Sequence, residues 1–118
     1  MKRRDDLLVS VHKYVRACRR RRTAPHVSEL AMRLGMTRHR LHAEFTAAVG
    51  FPPARYLQNL QLEFARGLLR DGYAVAAVSD CLGLTESAFR RAYGKYFGHP
   101  PKADLRPRSR RRVRQIAR

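Results

Sequence analysis

The sequence predicts an all-α chain of about seven helices, arranged as two helix-turn-helix units with a long helix between them. Three observations carry that prediction. Residues 27–57 (VSELAMRLGMTRHRLHAEFTAAVGFPPARYL) align without a gap on residues 75–105 (VAAVSDCLGLTESAFRRAYGKYFGHPPKADL). Apolar residues recur at three- and four-residue spacing, and no alternating strand pattern interrupts them. Between the copies, a leucine-rich stretch runs unbroken over residues 53–71.

In the alignment Val27 meets Val75, Leu34–Gly35 meets Leu82–Gly83, and Thr37 meets Thr85. Gly50 meets Gly98, Pro52–Pro53 meets Pro100–Pro101, and Leu57 meets Leu105. The apolar positions coincide as well, Leu41 with Phe89 and Phe45 with Tyr93 among them. Self-similarity at a fixed period means one supersecondary unit used twice.

The first helix is expected over about residues 5–20, with Leu7, Leu8, Val11, Val15 and Cys18 as its apolar stripe. Asp5 and Asp6 suit its positive end, and the arginine run 19–22 its negative end. That run is either a solvated helix end or a phosphate clamp. Thr23–Ala24–Pro25 breaks the helix. Val27, Leu30, Ala31 and Leu34 then form a short second helix, with Ser28 or the residue before it as N-cap. Gly35 stops it, and Thr37 caps a third helix running to Val49. Helix, short glycine-containing turn, helix is the sequence form of a helix-turn-helix.

Gly50 ends the third helix and Pro53 opens the fourth. Tyr56, Leu57, Leu60, Phe64, Leu68 and Leu69 give this long helix an apolar face wide enough to pack on both sides. At ~1.5 Å per residue it spans on the order of 27 Å. A duplex presents the same groove again after ~34 Å. The second unit repeats the logic, with Val75, Val78, Ser79 and Leu82 in a short helix, Gly83 in the turn and Thr85 as the next cap. Phe89, Tyr93 and Phe97 point inward, and Pro100–Pro101 begin a last short turn of helix. The domain is expected over residues 5–106, with units at 7–50 and 74–105. Residues 107–118 form a basic tail, expected to be disordered alone and to cling to phosphates without reading sequence.

The 118 residues carry 26 Lys+Arg against 9 Asp+Glu, a net charge of +17. Such a field attracts polyanions. Nucleic acid is the leading partner and an anionic membrane surface the second. No apolar run approaches the ~20 residues that span a bilayer. The opening MKRRDDLLVSVHKYV is interrupted by charge, which argues against a signal peptide and for a cytoplasmic protein. Cys18 and Cys81 read as buried reduced thiols.

Arg38, His39 and Arg40 open the third helix at the positive end of its dipole, where each cation costs some tenths of a kcal/mol. An anionic partner reverses that penalty, because helix N-termini and arginines both bind phosphate. Leu41, Phe45, Ala48 and Val49 are expected in the core, and His39, His42, Ala43 and Thr46 on the outside. In the second unit Ser87, Arg90, Arg91 and Gly94 are left outside. Candidate base contacts are therefore Arg38, His39, His42, Ala43, Ser87, Arg90 and Arg91. Candidate phosphate contacts are Thr37, Arg40, Thr46, Thr85, Lys95, Arg20, Arg21 and Arg106. No phosphate-cradling glycine loop, paired carboxylates or Cys/His nucleophile arrangement is visible, so an enzyme is not expected. His39 and His42 lack a third ligand at metal-binding spacing, so neither a metal nor a cofactor is expected.

The segments VSELAMRLGMTRHRLHAEF, VGFPPARYLQNLQLEFARGLLRDGY, VAAVSDCLGL, SAFRRAY and YFGHPP resemble the DNA-binding domain of the AraC/XylS family of bacterial transcription regulators. The resemblance covers about residues 7–105. It implies a homeodomain-like fold whose two recognition helices, about 37–49 and 85–97, enter adjacent major-groove segments of double-stranded DNA. By position, it assigns base contacts to His39, His42 and Ala43, and to Ser87, Arg90 and Arg91. It further implies a sequence-specific regulator of the stand-alone type, acting as a monomer without a small-molecule ligand, with RNA polymerase as a second partner. Gln61 stands where the family has Arg, and Ser79 where it has Ala. The competing expectation is a sequence-indifferent nucleic-acid binder, nucleoid- or RNA-associated, since phosphate contacts give affinity without sequence information.

Overall fold

The computed structural model describes residues 4–107. Its elements are α1 (Arg4–Arg21), α2 (Val27–Arg33), α3 (Arg38–Val49), α4 (Pro53–Arg70), α5 (Val75–Cys81), α6 (Glu86–Phe97) and a closing 3-10 turn (Pro101–Asp104). No strand occurs among the described residues. The chain forms two compact units divided between Gln58 and Asn59, inside α4. Most of the expected tail, from Arg108 on, lies outside the described residues.

In the first unit α1 buries Leu7, Val11, Tyr14, Val15 and Cys18. Leu8 was expected in this stripe but is only half-buried, and Tyr14, one turn after Val11, takes the place. Leu30 and Ala31 of α2, Leu41 and Phe45 of α3, and Leu57 of α4 are buried too. Ala48 and Val49 stay half-buried at the end of α3. α3 packs on both α1 and α2.

The start of α2 differs from expectation. Its N-cap is His26, and no side chain caps it. The Tyr14 hydroxyl does that work from another helix. It accepts the His26 backbone N–H at 2.9 Å and donates to Glu29 Oε1 at 2.7 Å. Burial, and then the Glu29 carboxylate, push the Tyr14 phenol well above its usual range, so it remains a neutral donor.

The two helix-turn-helix turns are built alike. Gly35 (φ +67°) and Gly83 (φ +72°) are left-handed, a conformation that costs glycine nothing. Gly35 N–H bonds to Met32 O at 3.1 Å and Met36 N–H to Ala31 O at 2.9 Å. Gly83 N–H bonds to Asp80 O at 3.0 Å and Leu84 N–H to Ser79 O at 3.0 Å. Each pair satisfies two orphan carbonyls of the preceding helix, in the Schellman pattern. Thr37 Oγ1 then accepts the Arg40 N–H (3.0 Å), and Thr85 Oγ1 the Ala88 N–H (3.1 Å). Such caps contribute about 1 kcal/mol each.

The second unit closes around Leu62, Ala65, Leu69, Tyr73, Val75, Val78, Leu82, Phe89 and Tyr93. Along α4 the buried row is Leu57, Gln61, Ala65 and Leu69, at four-residue spacing, with Leu62 beside it. The large residues Leu60, Phe64 and Leu68 form the neighbouring, half-buried row. The expected stripe followed side-chain size, whereas the helix axis turns its narrower Gln61–Ala65 line to the core. Gln61, only 5% exposed, is the one long polar side chain of this row.

Asp104 fastens the closing turn. It accepts the Tyr93 hydroxyl and bonds His99 Nε2 at 2.8 Å, with Arg70 Nη2 at 3.7 Å. The Tyr93 and His99 hydrogen bonds hold its carboxyl below the usual carboxylate range. The Arg106 N–H then bonds Leu69 O at 3.1 Å. Cys18 is buried as expected, but Cys81, the last residue of α5, is half-exposed, and both thiols are free.

Candidate nucleic-acid interface

The first turn of α3 contains no acid, and Arg38, His39, Arg40, His42 and Ala43 are all exposed. Their core-facing neighbours Leu41 and Phe45 are fully buried, which sets the helix's rotation and turns these five outward. Arg38, His39 and His42 line one open depression of about 270 Å³, together with Val27, Pro53 and Ala54. Arg40 is drawn away from them, with its Nε 2.5 Å from Glu44 Oε2 one turn on.

Thr46 departs from the expected outer face. Its Oγ1 is buried and has no hydrogen-bond partner, so a phosphate cannot reach it. Thr37 and Thr85 are exposed, but their hydroxyls are already engaged as helix caps.

On α6, Phe89 and Tyr93 are buried and leave Ser87, Arg90, Arg91 and Lys95 exposed, while Gly94 is half-buried. Here the first turn holds an acid. Glu86 Oε2 lies 2.9 Å from Arg90 Nη2, so one candidate base reader carries its own counterion. The i, i+4 spacing of Glu86 and Arg90 in the sequence is the signal that announces this pairing.

At the end of α1, Arg20 is exposed and Arg21 Nη2 stands 3.8 Å from Glu29 Oε1. Arg22 has φ +54°, a left-handed conformation that side chains rarely adopt. The exposed Arg106, with Ala74, Leu105 and Pro107, lines a shallow hollow of about 520 Å³. Among the described residues no group of three His, Cys, Asp or Glu side chains could hold a metal ion, and no helix is long and apolar enough to cross a membrane.

The family described as a helix-turn-helix domain matches residues 30–106. A putative AraC-like transcription regulator of Streptomyces lividans is 36% identical over 77 residues. The chain belongs to the AraC-type helix-turn-helix family. The match takes in 64% of this chain and 25% of the Streptomyces protein, so it spans about a quarter of that relative's length.

Two solved structures have the same fold as this AraC-type domain. One is the C-terminal domain of the two-component response regulator YesN from Fusobacterium nucleatum, with TM-score 0.67 at 20% identity, covering 80% of this chain and 97% of that one. The other is a transcriptional regulator from Chromobacterium violaceum, described as containing an AraC-type DNA-binding domain. Its TM-score is 0.61 at 20% identity, with coverage of 90% and 91%. The family of this chain is one of DNA-binding transcription regulators, and its fold is that of both solved structures.

Proposed function

We propose that this AraC-type domain binds double-stranded DNA at specific sequences and regulates transcription there, with α3 and α6 each entering a major-groove segment. The observation that carries the reading is the pair of matched turns. Both leave an exposed polar face on the following helix: Arg38, His39, His42 and Ala43 on α3, and Ser87, Arg90 and Arg91 on α6. The net charge of +17 supplies the attraction to phosphate. Arg40, Lys95, Arg20, Arg21 and Arg106 supply backbone contacts, and Thr37 and Thr85 present capped helix ends beside them. Because the two outer faces differ, one chain matches one asymmetric site and acts as a monomer.

The deciding experiment selects a site from random duplexes and competes it against random duplex at ~150 mM salt. A specific regulator prefers the selected site by at least ~10³-fold, the lower end of the usual gap. A preference under about tenfold leaves only a sequence-indifferent basic binder.

A further inference from the structure

The depression on the first unit brings together three exposed basic side chains. Arg38, His39 and His42 are exposed and converge on one hollow of about 270 Å³, several times the ~30 Å³ of a liquid water. Its remaining lining is Val27, Pro53 and Ala54, which brings no carboxylate. None of the acids of this unit lines the hollow. Glu44 holds Arg40, Glu29 holds Tyr14 and approaches Arg21, and Asp5 and Asp6 belong to the first turn of α1. Pro53 and Ala54 are the first residues of α4, so the positive end of an 18-residue helix dipole adds to the same hollow. Stability alone is poorly served by this crowding of cationic side chains at the N-terminal turn of α3.

We infer that this depression is a proton-linked phosphate site, in which Arg38, His39 and His42 hold one backbone phosphate of the bound duplex. The inference rests on duplex binding and deepens it: on α3 these three side chains grip the backbone, and base edges are left to Ala43 there and to Ser87, Arg90 and Arg91 on α6. Arg38 supplies a permanent charge and a planar donor fork. Each histidine supplies a second charge only when protonated, and histidine is the side chain that changes charge between about pH 5 and 8. A bound phosphate favours the protonated form, so binding takes up protons and affinity falls as pH rises. Val27, Pro53 and Ala54 cannot titrate, which leaves the two histidines as the proton acceptors of the site. A phosphate carries no base identity, so this pH sensitivity is common to all duplex sequences.

The test uses the full chain with fluorescent duplexes, one of selected and one of random sequence, at constant salt. Affinity is measured at pH 6 and pH 8, and proton uptake by calorimetry in two buffers of different ionisation enthalpy. Wild type is expected to bind both duplexes roughly tenfold more weakly at pH 8, with about one proton taken up per duplex at the lower pH. His39→Gln with His42→Gln removes both effects and weakens both duplexes alike, whereas His26→Gln, outside the depression, retains them. Both substituted positions are exposed, and unchanged helicity by circular dichroism verifies the fold. An unaltered pH dependence in the double variant overturns the inference, as does absence of proton uptake by wild type. A loss confined to the selected duplex also overturns it, making the histidines base readers. If both duplexes bind equally but the proton linkage is present, the sequence-specific reading fails while the phosphate site stands.

Discussion

Glu86 Oε2 sits 2.9 Å from Arg90 Nη2, and the residues at the same two places of α3 are Arg38 and His42. One scaffold therefore carries acid and base at one outer face, and two basic residues at the other. Glu86→Gln releases Arg90 and removes a negative charge from the α6 face. Affinity for all duplexes should rise about three- to tenfold, with a steeper salt dependence. The same change should lower stability by about 0.5–1 kcal/mol, because the first-turn acid and the i, i+4 pair are both lost. Salt titrations and thermal melts read the two opposing effects, and a gain in both would contradict the assignment.

Arg91 is exposed on α6, and no acid on the next turn is seen to hold it. Arg91→Ala should cost roughly 1–3 kcal/mol on the selected site if it reads guanine, with relaxed preference at one or two base pairs. A repeat site selection with the variant measures this. Equal weakening on every sequence would assign Arg91 to phosphate instead.

Arg22 adopts φ +54° where chain ends of this shape favour glycine. Arg22→Gly should raise stability by up to about 1 kcal/mol through relief of the left-handed strain. It should simultaneously weaken duplex binding and lower the salt slope by about one, if the run 19–22 grips phosphate. Stabilisation with unchanged binding would make the run a solvated helix end.

Asp104 gives the second unit an acid-sensitive clasp. Its carboxyl is depressed by the Tyr93 hydroxyl and His99, so the folded state binds this proton less readily than the unfolded chain. The resulting stability is complete above the unfolded value of about 3.9 and is lost as pH falls through the lower folded value. Melting temperature should therefore drop steeply below about pH 4 in wild type. Asp104→Asn should melt lower than wild type at pH 7 and show a shallower fall on acidification. Parallel curves for the two proteins would remove Asp104 from the account.

The backbone N–H of Arg106 is bonded to Leu69, so a clean truncation begins after Pro107. Deleting residues 108–118 removes six arginines and should weaken selected and random duplexes alike, with a flatter salt slope. A changed sequence preference would show that the segment reads bases.

What the sequence disclosed is what short-range chemistry determines. Thr37, Gly35 and Gly50 announce cap, turn and stop from their own backbone preferences, and Thr85, Gly83 and Gly98 repeat them 48 residues later at the same element boundaries. What stayed hidden depends on residues far apart in the chain. Tyr14 caps α2 from another helix, and Asp104 is caught by Tyr93 and His99. Neither partner pair has a spacing that a periodicity reveals. On α4 the buried row passes through Gln61 and Ala65, because burial follows the direction of a Cα–Cβ bond and not side-chain bulk. At the candidate site, the outward placement of Arg38, His39, His42, Ser87 and Arg91 was readable from the core spacing on each helix. The buried Thr46 hydroxyl and the hollow beside Pro53 were not, since both arise where helices meet.

The duplicated glycine turns have a consequence for how such a protein can change. Between the halves, the capping threonines and the left-handed glycines coincide, while the solvent-facing letters have drifted as far as a reversal of sign. Each half fills its own interior. On the proposed reading of duplex DNA, a new target is acquired one half-site at a time, by rewriting a few outward residues, while the other half keeps its old contacts.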